Sequence, residues 1–152
     1  MTNTFFIIIL AAIVLDFALD IVANLLNLKA LKLEPPPALV GVYKPEEYRR
    51  SQEYTRVVTR FDFISSSFNL VVLLSFWFTG GFNYLDQLVR GWGFIPLVNG
   101  LLFTAILAAA HSLLSLPFDI YATFVIEGRF GFNRTTPHTF IMELVKGIVL
   151  GI

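Results

Sequence analysis

Four apolar segments, separated by three polar stretches, make up most of the chain. They cover residues 5–28, 63–79, 94–116 and 139–152. As an α-helix the first would span about 36 Å, enough to cross a hydrocarbon core of about 30 Å, whereas the fourth is too short to span it. The pattern therefore predicts an all-α fold, a polytopic transmembrane helix bundle with three full membrane helices and a truncated fourth.

The polar stretches predict where the helices are interrupted. Residues 29–43 contain three consecutive prolines at 35–37, which favour an extended connection. Residues 45–79 hold no glycine and only the opening proline, so we expect one long helix of about 50 Å whose charged first half projects into the cytoplasm. Gly80 and Gly81 should end this helix, and residues 82–93 are expected to form a short turn.

Composition agrees with a membrane protein whose partner is the lipid bilayer. Hydrophobic residues make up 56% of the chain and charged residues 14%, against about 25% charged residues in soluble domains. The net charge is zero, which gives no indication of a nucleic-acid partner. Cysteine is absent, which excludes disulfides and thiolate metal sites. The first segment lacks a basic region before it and is interpreted as an uncleaved membrane helix, with a signal peptide as the alternative.

The distribution of basic residues predicts the orientation in the membrane. Seven lysines and arginines lie between residues 29 and 60, whereas Arg90 alone lies in the second loop, and Arg129 and Arg134 lie after the third apolar segment. By the positive-inside rule the first and third loops are cytoplasmic and the N-terminus is outside. We expect a multi-pass integral membrane protein, in a bacterial inner membrane.

Three titratable residues lie inside the first and third apolar segments, namely Asp16, Asp20 and His111. The two aspartates are four residues apart and share one helix face. They are expected either to line a polar chamber or to pair with lysines near the cytoplasmic end. For His111, interhelical hydrogen bonding is favoured over metal binding, because a metal site needs several converging ligands and His138 is the only other histidine.

Residues 116–136, reading LPFDIYATFVIEGRFGFNRTT, are the most distinctive part of the sequence. On residue types alone they predict a structured interfacial loop, with a tight turn at 130–133 and a helix restarting at Thr135 or Thr136 with Pro137. The segment resembles the region that precedes the catalytic core of the type I CAAX prenyl proteases. The matching residues are Leu116, Pro117, Tyr121, Thr123, Phe124, Ile126, Glu127, Phe130, Gly131, Phe132, Asn133 and Thr135.

The resemblance implies the N-terminal membrane domain of a membrane-embedded zinc metalloendopeptidase, occupying residues 1–152, with the C-terminal peptidase domain missing. Members of that family bind zinc through two histidines and a glutamate. They cleave peptide bonds near a C-terminal prenylated cysteine or, in bacterial members, process other membrane-associated peptides. The chain contains no H-E-x-x-H motif, so no catalytic residue and no metal ligand is assigned, zinc is expected only in the full-length protein, and the chain alone should be inactive.

The resemblance further implies that the segment forms part of the chamber wall and supports the active site. The residues expected in this role are Tyr121, Phe124, Glu127, Phe130, Gly131, Phe132, Asn133 and Thr135. The alternative is a small non-enzymatic membrane scaffold or a transporter fragment that uses Asp16, Asp20 and His111 in a polar path.

Overall fold

A computed structural model describes residues 4–32 and 44–151, with side chains as far as residue 147. Every regular element in these ranges is helical, which confirms the all-α prediction. The elements are α1 (Thr4–Ala30), α2 (Pro45–Phe78), α3 (Gly81–Arg90), α4 (Pro96–Ile120), a π-helical segment (Tyr121–Glu127), α5 (Gly128–Phe130) and α6 (Pro137–Gly151). The proline run at 35–37 lies outside the described residues.

The chain divides into two compact units, Met1–Ser66 and Ser67–Ile152. The boundary lies inside α2, within the run of three serines at 65–67. The first unit contains α1 and the charged part of α2. The second contains the apolar end of α2 and all later elements.

Three helical stretches are long and apolar enough to cross a membrane, as the sequence pattern predicts. They are Thr4–Ala30, Pro45–Phe78 and Pro96–Phe130. No residue of α1, α2 or α4 is buried by the rest of the chain. In lipid this is expected, because apolar side chains are as well solvated by acyl chains as by other helices.

Helix α2 is one uninterrupted helix of 34 residues, as predicted from the absence of internal glycine and proline. Pro45 occupies its first position, and Glu46 and Glu47 lie in its first turn, where the helix dipole favours negative charge. An ion pair joins Arg49 to Glu53 one turn later at 3.0 Å. Both side chains are largely exposed, so the pair contributes little to stability.

The prediction of a short turn at 82–93 is wrong, because most of this stretch is α3. Leu85 and Val89, one helical turn apart, are buried, and α3 packs against α4. The ring of Phe82 also meets that of Phe76 at the end of α2, edge to face, with centroids 4.9 Å apart. The four-residue spacing of Leu85 and Val89 is typical of a helix. The flanking glycines and the shortness of the segment instead favoured the prediction of a turn.

The prediction of a loop over residues 116–136 is also wrong for most of its length. Pro117 lies inside α4, and the helix continues through the π-helical segment and α5 as far as Phe130. Only residues 131–136 are non-helical. A proline deprives one carbonyl of its usual partner, but the helical path keeps the other backbone groups paired, which a membrane environment strongly favours. A π-helical segment, with its wider hydrogen-bond spacing, begins four residues after the proline.

Candidate functional site

Residues 121–136 contain all the residues from Tyr121 onward that resemble the type I CAAX prenyl proteases. They form one continuous structure, which we name the junction. It comprises the π-helical segment, α5 and the loop that leads into α6. Ile126 and Phe130, four residues apart, are two of its buried side chains. The guanidinium of Arg129 lies 5.7 Å from the centre of the Phe130 ring. Among the described residues, Ile126 and Phe130 of the junction and Leu85 and Val89 of α3 are the buried apolar side chains.

A Schellman motif ends the helix at the junction. The amide of Phe132 donates to the carbonyl of Glu127 at 2.9 Å, and the amide of Gly131 donates to the carbonyl of Gly128 at 3.2 Å. Gly131 has a φ of 72°, in the left-handed region that this motif requires at that position. Because a side chain disfavours that conformation, the backbone conformation explains why position 131 is a glycine.

The loop after the motif is held by two side chains that bond to the backbone. The side-chain oxygen of Asn133 accepts a hydrogen bond from the amide of Thr135 at 2.6 Å. The hydroxyl of Thr136 accepts one from the amide of Thr139 at 3.1 Å, which caps the N-terminus of α6. Of the two threonines that the sequence offered as the start of this helix, Thr136 is therefore the cap, with Pro137 following it.

Aromatic packing connects the junction to α6. The rings of Phe124 and Phe140 meet edge to face, with centroids 5.5 Å apart. Since Phe124 belongs to the π-helical segment and Phe140 to the first turn of α6, this contact fixes the start of α6 against the junction. On α4, Phe118 packs with Phe68 of α2 at 5.1 Å between centroids.

An open groove of about 360 Å³ lies beside the Phe124–Phe140 contact. Asp119 and Thr123 line it from α4 and the π-helical segment, and Glu143 lines it from α6, with Ala122, Phe140 and Leu144 completing the wall. The two carboxylates are exposed. Sequence reasoning missed Glu143, although an acidic residue between apolar neighbours at 139–152 was a usable signal.

The polar residues predicted within the membrane helices lie in both units of the chain. In the first unit, Asp20 accepts a hydrogen bond from the side-chain amide of Asn24 at 3.1 Å, and its charge acts on Asp62 of α2. Asp16 is exposed on α1. In the second unit, His111 is exposed on α4. Sequence reasoning did not single out Asp62, which required knowing which stretch of α2 lies beside α1.

The structure brings the junction residues together but supplies no metal centre within its described ranges. No group of three or more histidines, aspartates or glutamates there is arranged to hold a metal ion. These residues therefore do not fit a zinc site.

Comparison with known proteins agrees with this architecture. Residues 24–152 match the family described as the CAAX prenyl protease N-terminal region with five membrane helices. A probable CAAX prenyl protease 1 of Schizosaccharomyces pombe is 28% identical, over 89% of this chain and 31% of its own length. A CAAX prenyl protease 1 homolog of Oryza sativa is 30% identical, over 95% of this chain and 36% of its own.

A solved structure shows the same fold. The crystal structure of Ste24p from S. mikatae superimposes with a TM-score of 0.84, at 25% identity, over 98% of this chain and 36% of that one. The chain thus spans about a third of the length of the relatives it matches. The match of the family over residues 24–152 shows that the chain belongs to the CAAX prenyl proteases and represents their N-terminal membrane domain.

Proposed function

We propose that this chain is the N-terminal part of a membrane-embedded zinc metalloendopeptidase, in which it forms part of the chamber wall and supports the active site. The observation that carries the proposal is the junction. Its Schellman motif, the Asn133 turn and the Thr136 cap fix the path of the backbone into α6, and its π-helical segment and α6 together line a groove that carries two carboxylates. Rigid backbone next to a groove is what a supporting element of an active site requires.

In this proposal, Tyr121, Phe124 and Glu127 support the active site from positions in the π-helical segment. The remaining residues support it from positions in the turn that follows. π-helical turns are frequent at functional sites, because they displace side chains from the regular helical register. The residues of the turn are Phe130, Gly131, Phe132, Asn133 and Thr135. Asp16, Asp20 and His111 are proposed as polar residues within the membrane and not as catalytic groups.

Zinc and the general base would be supplied by residues outside these 152, in a C-terminal peptidase domain that we propose as the partner of this chain. The relatives are CAAX prenyl proteases by name, so a peptide with a prenylated C-terminal cysteine is the proposed substrate. The N-terminus is proposed to lie outside, and the bacterial inner membrane remains a prediction. The family match does not favour the alternative of a non-enzymatic scaffold or transporter fragment.

The test uses the full-length enzyme that contains this region. Asn133→Ala should lower turnover of a prenylated peptide by about tenfold, the scale seen when groups that support a metal site are removed, while zinc content is retained. Arg134→Ala, next to it in the loop and exposed, is the matched control and should keep its turnover. Equal turnover in both variants would contradict the supporting role of the junction.

A second measurement tests the assignment of zinc to the rest of the enzyme. Equilibrium dialysis of this chain alone against zinc should show no stoichiometric binding. Tight binding of one zinc per chain would overturn that assignment.

A further inference from the structure

We propose that α3 lies along the membrane surface, with its exposed apolar ridge in the boundary between phospholipid headgroups and acyl chains. The ridge is defined as Tyr84 and Leu88 of α3 together with Trp92, two residues after the end of the helix, and it lies outside the junction. The proposal gives a lipid-binding role to a segment that the proposed function does not use.

The sequence of α3 separates apolar from polar residues around the helix. At 100° per residue, Phe82, Tyr84, Leu85, Leu88 and Val89 fall on one continuous side. The opposite side carries the polar residues Asn83, Asp86, Gln87 and Arg90. An amphipathic helix of this kind is stable where its apolar side meets an apolar environment and its polar side meets water.

The protein itself covers only half of the apolar side. Val89 is 1% exposed and Leu85 is 8% exposed, in a helix that packs against α4. Tyr84 is 69% exposed, Leu88 is 44% exposed and Trp92 is 49% exposed. The ridge thus remains uncovered by the described part of the chain, although it is continuous with the covered half.

The position of α3 in the chain places it at the membrane edge. It begins three residues after α2 ends, and α4 begins six residues after α3 ends; α2 and α4 both belong to candidate membrane spans. The exposed residues Phe94, Ile95 and Leu97 follow the ridge along the chain and lead into α4. The ridge is therefore followed along the chain by exposed apolar side chains at the start of a candidate membrane span.

The residue types and charges of the ridge and of α3 favour lipid, and not water or a protein partner, as the environment that covers the ridge. Tyrosine and tryptophan are enriched at membrane interfaces because each ring carries one polar atom on an apolar body. Asp86 and Arg90 form an ion pair at 2.8 Å on the polar side, and this hydrogen bond raises the pKa of the Arg90 guanidinium. Because the two charges of α3 cancel, binding should depend on apolar burial and not on anionic headgroups.

Tryptophan fluorescence tests the proposal directly, since the chain has two tryptophans, Trp77 and Trp92. In Trp77→Phe, reconstituted in phosphatidylcholine vesicles, Trp92 is the sole tryptophan fluorophore. Phosphatidylcholine brominated near the headgroup end of its acyl chains should quench Trp92 more than lipid brominated near the chain ends. Adding anionic lipid should leave the quenching unchanged.

Two further variants of this single-tryptophan protein keep the test specific. Leu88→Asp, on the ridge, should reduce quenching by the shallow brominated lipid by at least about twofold, because a charge there is costly to bury. Gln87→Asp adds the same charge on the polar side and should leave quenching unchanged. Strong quenching by aqueous iodide without quenching by brominated lipid would overturn the proposal in favour of water. Absence of quenching by either would overturn it in favour of a protein partner covering the ridge.

Discussion

The carbonyl oxygen of Glu127 accepts a hydrogen bond from the amide of Phe132 at 2.9 Å. This bond marks the end of the helical stretch that begins at Pro96. The amide of Asn133 also approaches the same carbonyl, at 3.3 Å. Two donors from the loop thus satisfy an acceptor at the end of a membrane-length helix. The consequence is that the direction of the chain into α6 is set by backbone geometry at residues 127–133.

Replacing Gly131 by alanine should destabilise the protein. The φ of 72° at this position costs an L-residue about 1 kcal/mol or more, because the side chain crowds the backbone. Thermal unfolding in detergent should show a lower midpoint for Gly131→Ala. Gly128→Ala is the matched control, since Gly128 has helical dihedral angles and open space around an added Cβ. We expect an unchanged or slightly higher midpoint there, and equal losses in both variants would contradict the argument.

The contact between Phe124 and Phe140 should be measurable as a coupling energy. An edge-to-face pair at this separation contributes roughly 0.5–1.5 kcal/mol beyond the area it buries. The cycle consists of Phe124→Leu, Phe140→Leu and the double variant, each followed by chemical unfolding. Strictly additive losses would show that the two rings do not stabilise the protein through each other.

Removal of the Thr136 hydroxyl should loosen the first turn of α6. The cap to the amide of Thr139 is worth about 1 kcal/mol. Thr136→Ala should therefore speed hydrogen exchange of the amides in that turn about fivefold, with little change in α4. Thr136→Ser keeps the oxygen and should exchange like the original protein. Faster exchange in the serine variant would assign the effect to packing of the methyl group.

Gly81 permits the close approach between the end of α2 and the start of α3. A Cβ built at this position would overlap the ring of Phe76, which itself packs on Phe82. Gly81→Ala should lower the free energy of unfolding by an amount typical of overpacking, about 1–3 kcal/mol, and so lower the midpoint of thermal unfolding. Gly100→Ala, in α4 with open space around the added atom, serves as the control. The double variant Gly81→Ala with Phe76→Leu should recover part of the loss, since the smaller side chain can move aside.

The sequence by itself determined the class of the protein and the extent of its longest helices. Apolar segments of membrane length can satisfy their backbone only as helices, so the pattern at 5–28 and 45–79 left little freedom. The run at 116–136 likewise identified the family, because its residues occur at fixed spacing. Local chemistry also narrowed the cap at the start of α6 to Thr135 or Thr136, directly before Pro137, and the structure decided for Thr136.

Only the tertiary structure decided which local tendencies prevailed. Pro117 is a helix-breaking signal that was overridden, whereas the glycines around α3 do bound helices but leave room for a helix between them. Continued backbone pairing keeps α4 helical past the proline, and burial of Leu85 and Val89 stabilises ten residues that are too few for an isolated helix. The groove of Asp119 and Glu143 and the proximity of Asp20 to Asp62 join positions distant in sequence. Such pairings follow from how helices pack, which the period of apolar residues along the chain does not specify.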